Sequence, residues 1–297
     1  MINLSGIFPP LPTLFNDNQE LDTEKMCQNI TRLNQIDLAG YLLLGSNGEL
    51  VMLSEEEKIK VYNDCRMAIP KSKLMIAGTG GLSTLETIRL TKGAANAGAD
   101  AALVLNPFYY KGLMTKEALI QHYFEVADAS DIPIIIYNMP ANSGMDMGAE
   151  MIASFAKHQN IIGMKDSGGN LTKMGDLRRL TDPEFQILAG SAGFLMPALS
   201  VGAIGGILAL ANIAPQQCLD IYKNFKQGNL EFAQELQLKM IPVNAAVTSG
   251  MGIPALKYAM DFLGLEGGIC RKPIQSLNEK QKQIIEQLLI SNQINHL

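Results

Sequence analysis

The feature that most constrains this chain is a repeated alternation of short apolar runs with amphipathic helical segments. The runs are GYLLLG (40–45), LMIAG (74–78), AALVL (101–105), IPIIIY (132–137), IIGMK (161–165), FQILAG (185–190) and AIGGILAL (203–210). They are continuous rather than alternating, which is typical of parallel strands covered on both faces. An earlier run, GIFPPLPTLF (6–15), contains prolines, so we expect an irregular or edge strand there.

Helical segments fill the intervals between the runs. The segment 53–69 opens with Ser54 followed three residues later by Glu57, which predicts a capping box, and segments 82–98 and 114–130 open similarly. The strand-helix unit repeats roughly every 25–30 residues, and eight such units predict an α/β fold, a (β/α)8 TIM barrel. An open doubly wound sheet is the competing layout, but the glycine-rich phosphate turn after its first strand is missing.

The strand signal stops near residue 228, and three helical patterns follow. No low-complexity linker separates them from the repeat. We therefore predict a barrel over residues 1–227 and a C-terminal helical region over residues 228–297 that packs on it.

Composition and charge exclude several classes of partner. The net charge is −5 with no basic block, so we expect neither a nucleic acid nor an anionic membrane as partner. No apolar stretch reaches the ~18 residues of a spanning helix, and no signal peptide is visible, which predicts a cytoplasmic protein. The four cysteines are scattered and the three histidines lack metal-ligand spacing, so we expect reduced thiols and no metal site.

In such a barrel, catalytic groups occupy the carboxyl ends of the strands. Lys165 is the only lysine at such an end. Partial desolvation there disfavours the ammonium form and lowers its pKa, and a neutral amine can attack a carbonyl to form a Schiff base. The alternative is a lysine that reaches water from the strand end, paired with Asp166. The pattern alone leaves both readings open.

Other polar residues at the same ends also have two readings. Tyr137 could shuttle protons or simply pack under a loop. The Ser46-Asn47 turn, flanked by glycines, suits a carboxylate but is also ordinary turn chemistry. Tyr109 could reach the site or belong to an interface, and we expect Glu49 only to start the helix after its turn.

Three motifs in order, GSNGE (45–49), YNMPANSG (137–144) and GMKDSGG (163–169), resemble the dihydrodipicolinate synthase / N-acetylneuraminate lyase superfamily. The resemblance covers essentially the whole chain. It implies a pyruvate-handling class I aldolase or lyase on a (β/α)8 barrel with a C-terminal helical region. The small-molecule keto acid forms its imine with a lysine, so no separate cofactor is expected.

The resemblance also implies roles for matching residues. Lys165 forms the imine, Tyr137 relays protons, and Ser46 and Asn47 bind the pyruvate carboxylate, with Ser46 joining the relay. Tyr109 matches a tyrosine that a neighbouring subunit lends to the site, which implies a homo-oligomer, either a dimer or a dimer of dimers (a homotetramer).

Within the superfamily, the phrases LAGSAGFLM (188–196) and PVNAAVT (242–248) are most similar to 4-hydroxy-2-oxoglutarate aldolases. Those enzymes cleave their substrate to pyruvate and glyoxylate. The likeness implies that Ser167 contacts substrate. Asn142, Ser143, Gly190 and Ser191 are further candidates for the second-substrate pocket. Asn142 stands where dihydrodipicolinate synthases usually carry an arginine, whose loss weakens binding of an amino-acid aldehyde.

Four alternatives remain open from the sequence. Two are enzymes of the same chemistry: a dihydrodipicolinate synthase, which joins pyruvate to aspartate semialdehyde, and an aldolase for 2-keto-3-deoxy sugar acids. A third is a non-catalytic barrel that senses a keto acid, which has no need of a reactive amine. The fourth, a metal-dependent class II aldolase, needs ligands that we do not see.

Overall fold

A computed structural model describes residues 2–296 and contains one sheet of eight parallel strands. The strands are β1 (Gly6–Phe8), β2 (Gly40–Leu43), β3 (Leu74–Gly78), β4 (Ala101–Leu105), β5 (Ile134–Asn138), β6 (Ile161–Asp166), β7 (Gln186–Ala189) and β8 (Gly205–Ile207). Each strand pairs with the next along the chain from β2 to β8, and β8 pairs with β1. This order confirms the predicted (β/α)8 barrel and excludes the open doubly wound sheet.

The first strand is short and irregular, as its prolines predicted. It pairs with β8 over three residues, whereas on the β2 side an isolated bridge between Pro10, just after β1, and Leu42 replaces a ladder. The Leu42 amide donates to Pro9 O at 3.0 Å, and the Leu11 amide donates to Leu42 O at 2.9 Å. Because proline has no N–H, this run cannot form a regular ladder, and these few bonds close the barrel.

Helices alternate with the strands and cover the outside of the barrel. They are α1 (Thr23–Leu33), α2 (Glu55–Ala68), α3 (Thr84–Asn96), α4 (Lys116–Asp128), a short α5 (Pro140–Ser143), α6 (Ala149–Phe155), α7 (Leu171–Leu180), α8 (Leu195–Ser200) and α9 (Pro215–Gln227). The capping box at Ser54 and Glu57 is confirmed at the start of α2. Ser83 and Thr115 cap α3 and α4 in a related way.

Three further helices follow the barrel: α10 (Leu230–Ala245), α11 (Gly252–Phe262) and α12 (Glu279–Ser291). The predicted division at residue 228 falls in the turn between α9 and α10, which pack against each other. Pro242 lies inside α10, and a π-helical turn over Ala246–Gly250 comes directly after that helix. Proline removes a helical hydrogen bond, and π-turns often occur beside functional sites.

The apolar side chains form two separate clusters. The smaller one fills the inside of the barrel and includes Phe8, Leu42, Ile135, Tyr137 and Leu188. The larger one lies between the strands and the surrounding helices. No helix within residues 2–296 is long and apolar enough to cross a bilayer.

Candidate active site

A cavity of about 680 Å³ opens at the carboxyl ends of the strands. It brings together most of the residues that the sequence singled out, namely Ser46, Asn47, Tyr137, Asn142, Lys165, Ser167, Gly190 and Ser191. Its remaining wall comes partly from the C-terminal helices, through Asn244, Thr248, Ser249 and Ile253. No sequence pattern assigned these residues to the site, although the PVNAAVT phrase contains two of them, Asn244 and Thr248.

An irregularity in β6 directs Lys165 into the barrel. Ile134 pairs with Ile161, but the next residue, Ile135, pairs with Gly163, so Ile162 is an extra residue in β6. A shift of one residue moves every following side chain to the other face of the sheet. The bulge therefore sets Lys165 opposite Tyr137, on the barrel's inner face, instead of opposite Asn138.

Lys165 is buried without an ionic partner. Only 4% of the residue is exposed, and its Nζ lies 4.3 Å from the centre of the Tyr137 ring. Among the described residues, no carboxylate oxygen lies within the 4.0 Å that defines an ion pair with this Nζ. The alternative reading, a lysine paired with Asp166, is wrong because the Asp166 carboxylate lies 2.9 Å from Lys173 Nζ instead.

Asp166 belongs to a charged network directly behind Lys165. Lys173 bridges Asp166 and Asp146, and the Asn138 side-chain amide donates to Asp146 at 2.8 Å. Burial raises the pKa of Asp146, but the hydrogen bonds from Lys173 and Asn138 outweigh it and hold this pKa below its usual value. The network joins the ends of β5 and β6 to α7, so it fixes the strand that carries Lys165.

The Ser46-Asn47 turn lies across the cavity from that network. The hydroxyl groups of Ser46 and Tyr137 are 3.2 Å apart, which is hydrogen-bond distance. The Nδ2 atom of Asn47 is buried and has no partner within the described chain. A buried donor left unpaired costs free energy, so this amide is available for an acceptor in the cavity.

The turn is held in a strained conformation by a buried ion pair. Leu44 and Glu49 flank it with φ of 55° and 51°, in the left-handed region that non-glycine residues rarely adopt. We expected Glu49 only to start a helix. It does precede a short 3-10 helix (Leu50–Met52), whereas α2 begins at Glu55, but its side chain caps neither. Instead its Oε1 lies 2.6 Å from Lys257 Nζ, and both side chains are inaccessible to solvent.

The second-substrate candidates occupy different places in the wall. Asn142 lines the cavity from an exposed position, while Ser167 and Ser191 are partly buried. A Cβ on Gly190 would lie 2.1 Å from Ser167 Oγ, so this glycine makes room for the serine. Gly190 therefore shapes the wall through its missing side chain.

Tyr109 is not among the residues that line the cavity of a single chain. It is 71% exposed, and its ring packs edge-on against Tyr110 at 5.0 Å. A role in catalysis therefore depends on a second copy of the chain and stays a prediction. Within the described part of the chain, no three histidine, cysteine, aspartate or glutamate side chains could together hold a metal ion.

Comparison with known proteins places this geometry in a family. Residues 3–292 match the dihydrodipicolinate synthetase family model. A 4-hydroxy-tetrahydrodipicolinate synthase from Methanothrix thermoacetophila is 33% identical over 96% of this chain and 95% of its own length. A probable mitochondrial 4-hydroxy-2-oxoglutarate aldolase from Emericella nidulans is 36% identical over 90% of this chain and 88% of its own length.

Solved structures agree with this placement. A prophage protein of the dihydrodipicolinic acid synthase family from E. coli K12, solved in complex with pyruvate, superimposes with a TM-score of 0.93 at 27% identity. The match covers 99% of this chain and 100% of that chain. This chain therefore belongs to the dihydrodipicolinate synthetase family, and it is a pyruvate-dependent class I aldolase, an enzyme of the Schiff-base type.

Proposed function

We propose that this enzyme reversibly cleaves 4-hydroxy-2-oxoglutarate to pyruvate and glyoxylate, with Lys165 as the imine-forming residue. The observation that carries the role of Lys165 is its burial without an ionic partner, beside Tyr137 and at the floor of the cavity. A buried lysine without a carboxylate is costly to keep, and an amine nucleophile explains why it is kept.

The proposed reaction starts at the keto group. The Lys165 amine attacks C2, and the carbinolamine loses its hydroxyl as water with a proton from Tyr137, which leaves a protonated imine. The Tyr137 phenolate then takes the proton of the C4 hydroxyl while the C3–C4 bond breaks and its electron pair enters the imine as an enamine. Glyoxylate leaves, and C3 takes the proton that is now on Tyr137. Water then adds to the protonated imine, the released proton returns to the Tyr137 phenolate, and pyruvate leaves with Lys165 restored as the amine.

The cavity wall supports separate roles for its two ends. The free Nδ2 of Asn47 and the Ser46 hydroxyl suit the carboxylate next to the keto group. At the other end the lining offers serine, threonine and asparagine side chains, and among the described residues Lys165 is the only cationic one in it. These short neutral donors suit a small aldehyde acid such as glyoxylate, and they supply no guanidinium to pair with the carboxylate of a larger amino-acid aldehyde.

A second candidate is the joining of pyruvate to aspartate semialdehyde. Relatives named 4-hydroxy-tetrahydrodipicolinate synthase, 33% identical to this chain, favour it. Asn142, in place of a guanidinium, argues against it, because an amide cannot form the bidentate charged pair that arginine forms with a carboxylate. Aldolases for 2-keto-3-deoxy sugar acids share this chemistry and have variable second-substrate pockets, so those substrates stay in the test.

The first test is to trap the imine. The protein is mixed with pyruvate, reduced with borohydride and digested, and the modified peptide is mapped by mass spectrometry. We expect a pyruvyl adduct on Lys165. A folded protein with no adduct there contradicts the Schiff-base role and favours a keto-acid sensor.

The second test uses a panel of aldehydes with pyruvate: glyoxylate, aspartate semialdehyde and glyceraldehyde. We expect kcat/KM to be highest with glyoxylate. A preference for aspartate semialdehyde establishes the synthase instead, and a preference for glyceraldehyde establishes the sugar-acid aldolase. Full activity in EDTA is expected in each case, since the imine needs no metal.

The proposed role of Tyr109 requires a homo-oligomer in which a second copy supplies this tyrosine. Tyr109→Phe and Lys165→Ala are each expected to be poorly active alone. Mixing and refolding them together should restore activity, because a mixed dimer contains one site with both residues. No recovery on mixing, in dimers shown to exchange subunits, contradicts the shared site.

A further inference from the structure

Asn244 stands on the last turn of α10 and lines the cavity from the C-terminal region. Only 5% of the residue is exposed. Its Nδ2 donates to Ser191 Oγ at 3.0 Å, whereas its Oδ1 is buried and has no partner within residues 2–296. An unpaired buried acceptor costs free energy, so its presence in the cavity wall calls for a ligand group that donates to it.

The partner of Asn244 supplies the complementary group. Ser191 Oγ accepts hydrogen bonds from Asn244 Nδ2 and from the Gly193 amide at 3.2 Å. A hydroxyl oxygen has two lone pairs and one proton, so the Ser191 proton remains to be donated. The pair thus presents one acceptor, Asn244 Oδ1, and one donor, the Ser191 O–H, side by side.

The pair is held firmly in place. Thr248, in the π-helical turn, donates its hydroxyl to Asn244 O at 2.6 Å. A Cβ on Gly193 would lie 3.0 Å from Asn244 Nδ2, so glycine leaves only the room that the amide needs. This rigidity favours a binding role, because fixed donors and acceptors discriminate between ligands more sharply than mobile ones.

The chemistry of the pair selects a class of ligand group. An alcohol hydroxyl donates to Asn244 Oδ1 and accepts from Ser191 at the same time. A carboxylate can only accept, so it would leave Asn244 Oδ1 unpaired, and an apolar group would leave both atoms unpaired. We propose that Asn244 and Ser191 form a subsite that recognises a hydroxyl group on the aldehyde-derived half of the substrate. This inference rests on the proposed function, in which that group is the C4 hydroxyl. The hydroxyl donates to Asn244 Oδ1 when the substrate binds, and it turns to the Tyr137 phenolate, which removes the proton, once the imine has formed.

The same helix contains a matched control. Gln237, 4% exposed, has both amide atoms paired: Nε2 donates to Ala192 O at 2.8 Å, and Oε1 accepts from the Met196 amide at 2.9 Å. Gln237 is not among the residues that line the cavity. Replacing Gln237 removes a buried amide from α10 and its two hydrogen bonds to the segment 192–196, which follows Ser191. The replacement leaves Asn244 and Ser191 themselves unchanged.

The test compares a ligand that has the C4 hydroxyl with one that lacks it. For each variant we measure kcat/KM for cleavage of 4-hydroxy-2-oxoglutarate and the inhibition constant of 2-oxoglutarate, which lacks only that hydroxyl. Asn244→Leu should lower kcat/KM by about 10- to 100-fold and change the inhibition constant less than about twofold, because one hydroxyl contact is lost. Ser191→Ala should likewise weaken kcat/KM more than it weakens inhibition by 2-oxoglutarate. Gln237→Leu should lower the midpoint of thermal unfolding and change kcat/KM and inhibition by the same factor.

Two results overturn the proposal. One is an equal loss for both ligands in Asn244→Leu, which indicates a merely structural role. The other is a Gln237→Leu protein that loses kcat/KM relative to 2-oxoglutarate inhibition by as large a factor as Asn244→Leu does.

Failure of the proposed function is a separate outcome. If the wild-type enzyme traps pyruvate and cleaves a different 4-hydroxy-2-keto acid, such as a 2-keto-3-deoxy sugar acid, the glyoxylate assignment fails. The comparison of Asn244→Leu with wild type on that substrate, against 2-oxoglutarate inhibition, then decides the subsite by the same criteria. An enzyme that cleaves no 4-hydroxy-2-keto acid overturns both proposals.

Discussion

Two lysines of this chain are buried to nearly the same degree in surroundings of opposite kind. Lys257, on α11, is 1% exposed, and its Nζ lies 2.6 Å from Glu49 Oε1 and 2.6 Å from Ile269 O. Lys165, on β6, is 4% exposed, faces an open cavity and has no ion-pair partner among the described residues. A buried ammonium normally needs a partner to offset its desolvation. Lys257 has that partner within the chain, whereas Lys165 has none among the described residues.

This difference distinguishes buried lysines that support the site from the lysine that we expect to react. The Glu49–Lys257 pair holds the turn of Ser46 and Asn47 in its strained shape, and it leaves no group free to react. Lys173 belongs to the same supporting class, since it contacts two aspartates behind the site. The unpaired lysine is the one whose amine can bond to a substrate, and each variant below tests one side of this contrast.

The largest effect is expected from Lys165→Met. Removing the amine abolishes borohydride trapping with pyruvate and lowers kcat by at least roughly 10⁴-fold, because covalent catalysis is lost. The free energy of unfolding should stay the same or rise, since a buried group without a partner is replaced by an apolar one. Chemical denaturation and steady-state kinetics check both parts, and a destabilised protein would break the comparison.

Tyr137→Phe should have the next largest effect. It removes the phenol that lies 3.2 Å from the Ser46 hydroxyl and keeps the ring beside Lys165 Nζ. We expect kcat to fall by about 10²- to 10⁴-fold, the usual range for a general acid or base. Ser46→Ala is the matched variant, and it should cost less because it removes only the partner of the phenol.

Borohydride trapping with pyruvate distinguishes a loss of proton transfer from a loss of amine reactivity in Tyr137→Phe. If Tyr137→Phe still forms the adduct on Lys165, only more slowly, then the tyrosine relays protons and the lysine reacts. Turnover within about threefold of wild type would remove Tyr137 from the mechanism, because a relay residue contributes far more than that.

Lys257→Met tests the paired lysine. It leaves Glu49 as an uncompensated buried carboxylate and should lower the free energy of unfolding by about 3–5 kcal/mol. A double variant, Lys257→Met with Glu49→Leu, removes both charges and should recover much of that loss. A Lys257→Met protein as stable as wild type in urea denaturation would show that the pair does not support the turn.

Local sequence patterns predicted one part of this contrast, the positions of the strands and of the polar residues that follow them. Continuous apolar runs located the strands, and polar residues after each run located Lys165, Tyr137 and the Ser46-Asn47 turn. The partner of Glu49 could not be predicted, because Lys257 lies 208 positions away and no local pattern links the two. The extra residue Ile162 in β6 was equally invisible, although it determines which way Lys165 points.

The wall of the cavity was predicted only on one side. Asn244 and Thr248 come from the C-terminal helices, and their place depends on how α10 packs against the barrel. The phrase that contains them was visible as a resemblance, but their contacts with Ser191 and the cavity follow only from the tertiary structure. The proposed role of Tyr109 depends on more than one chain, so neither the sequence nor a single subunit can decide it.

The smallest effect concerns a third way to bury a titratable group, which is to lose its charge. His122 is 5% exposed, its Nδ1 lies 2.9 Å from Thr84 Oγ1, and its Nε2 has no partner within the described chain. Burial lowers the pKa of His122 to about 4, although Glu125 opposes the shift. In the unfolded chain the pKa is about 6.5, so between these two values the unfolded state binds the extra proton.

The contribution of His122 is therefore fully present above about pH 6.5 and is lost as the pH falls towards 4, by up to about 1.4 kcal/mol per pH unit. His122→Gln, which cannot take up a proton, should flatten this part of the stability profile relative to wild type. Urea denaturation from pH 8 to pH 4 measures the difference between the two proteins, and this subtraction cancels the carboxylates that titrate in the same range. Parallel profiles would mean that the imidazole takes up its proton at the same pH in the folded protein as in the unfolded chain, so that burial does not lower the pKa of His122.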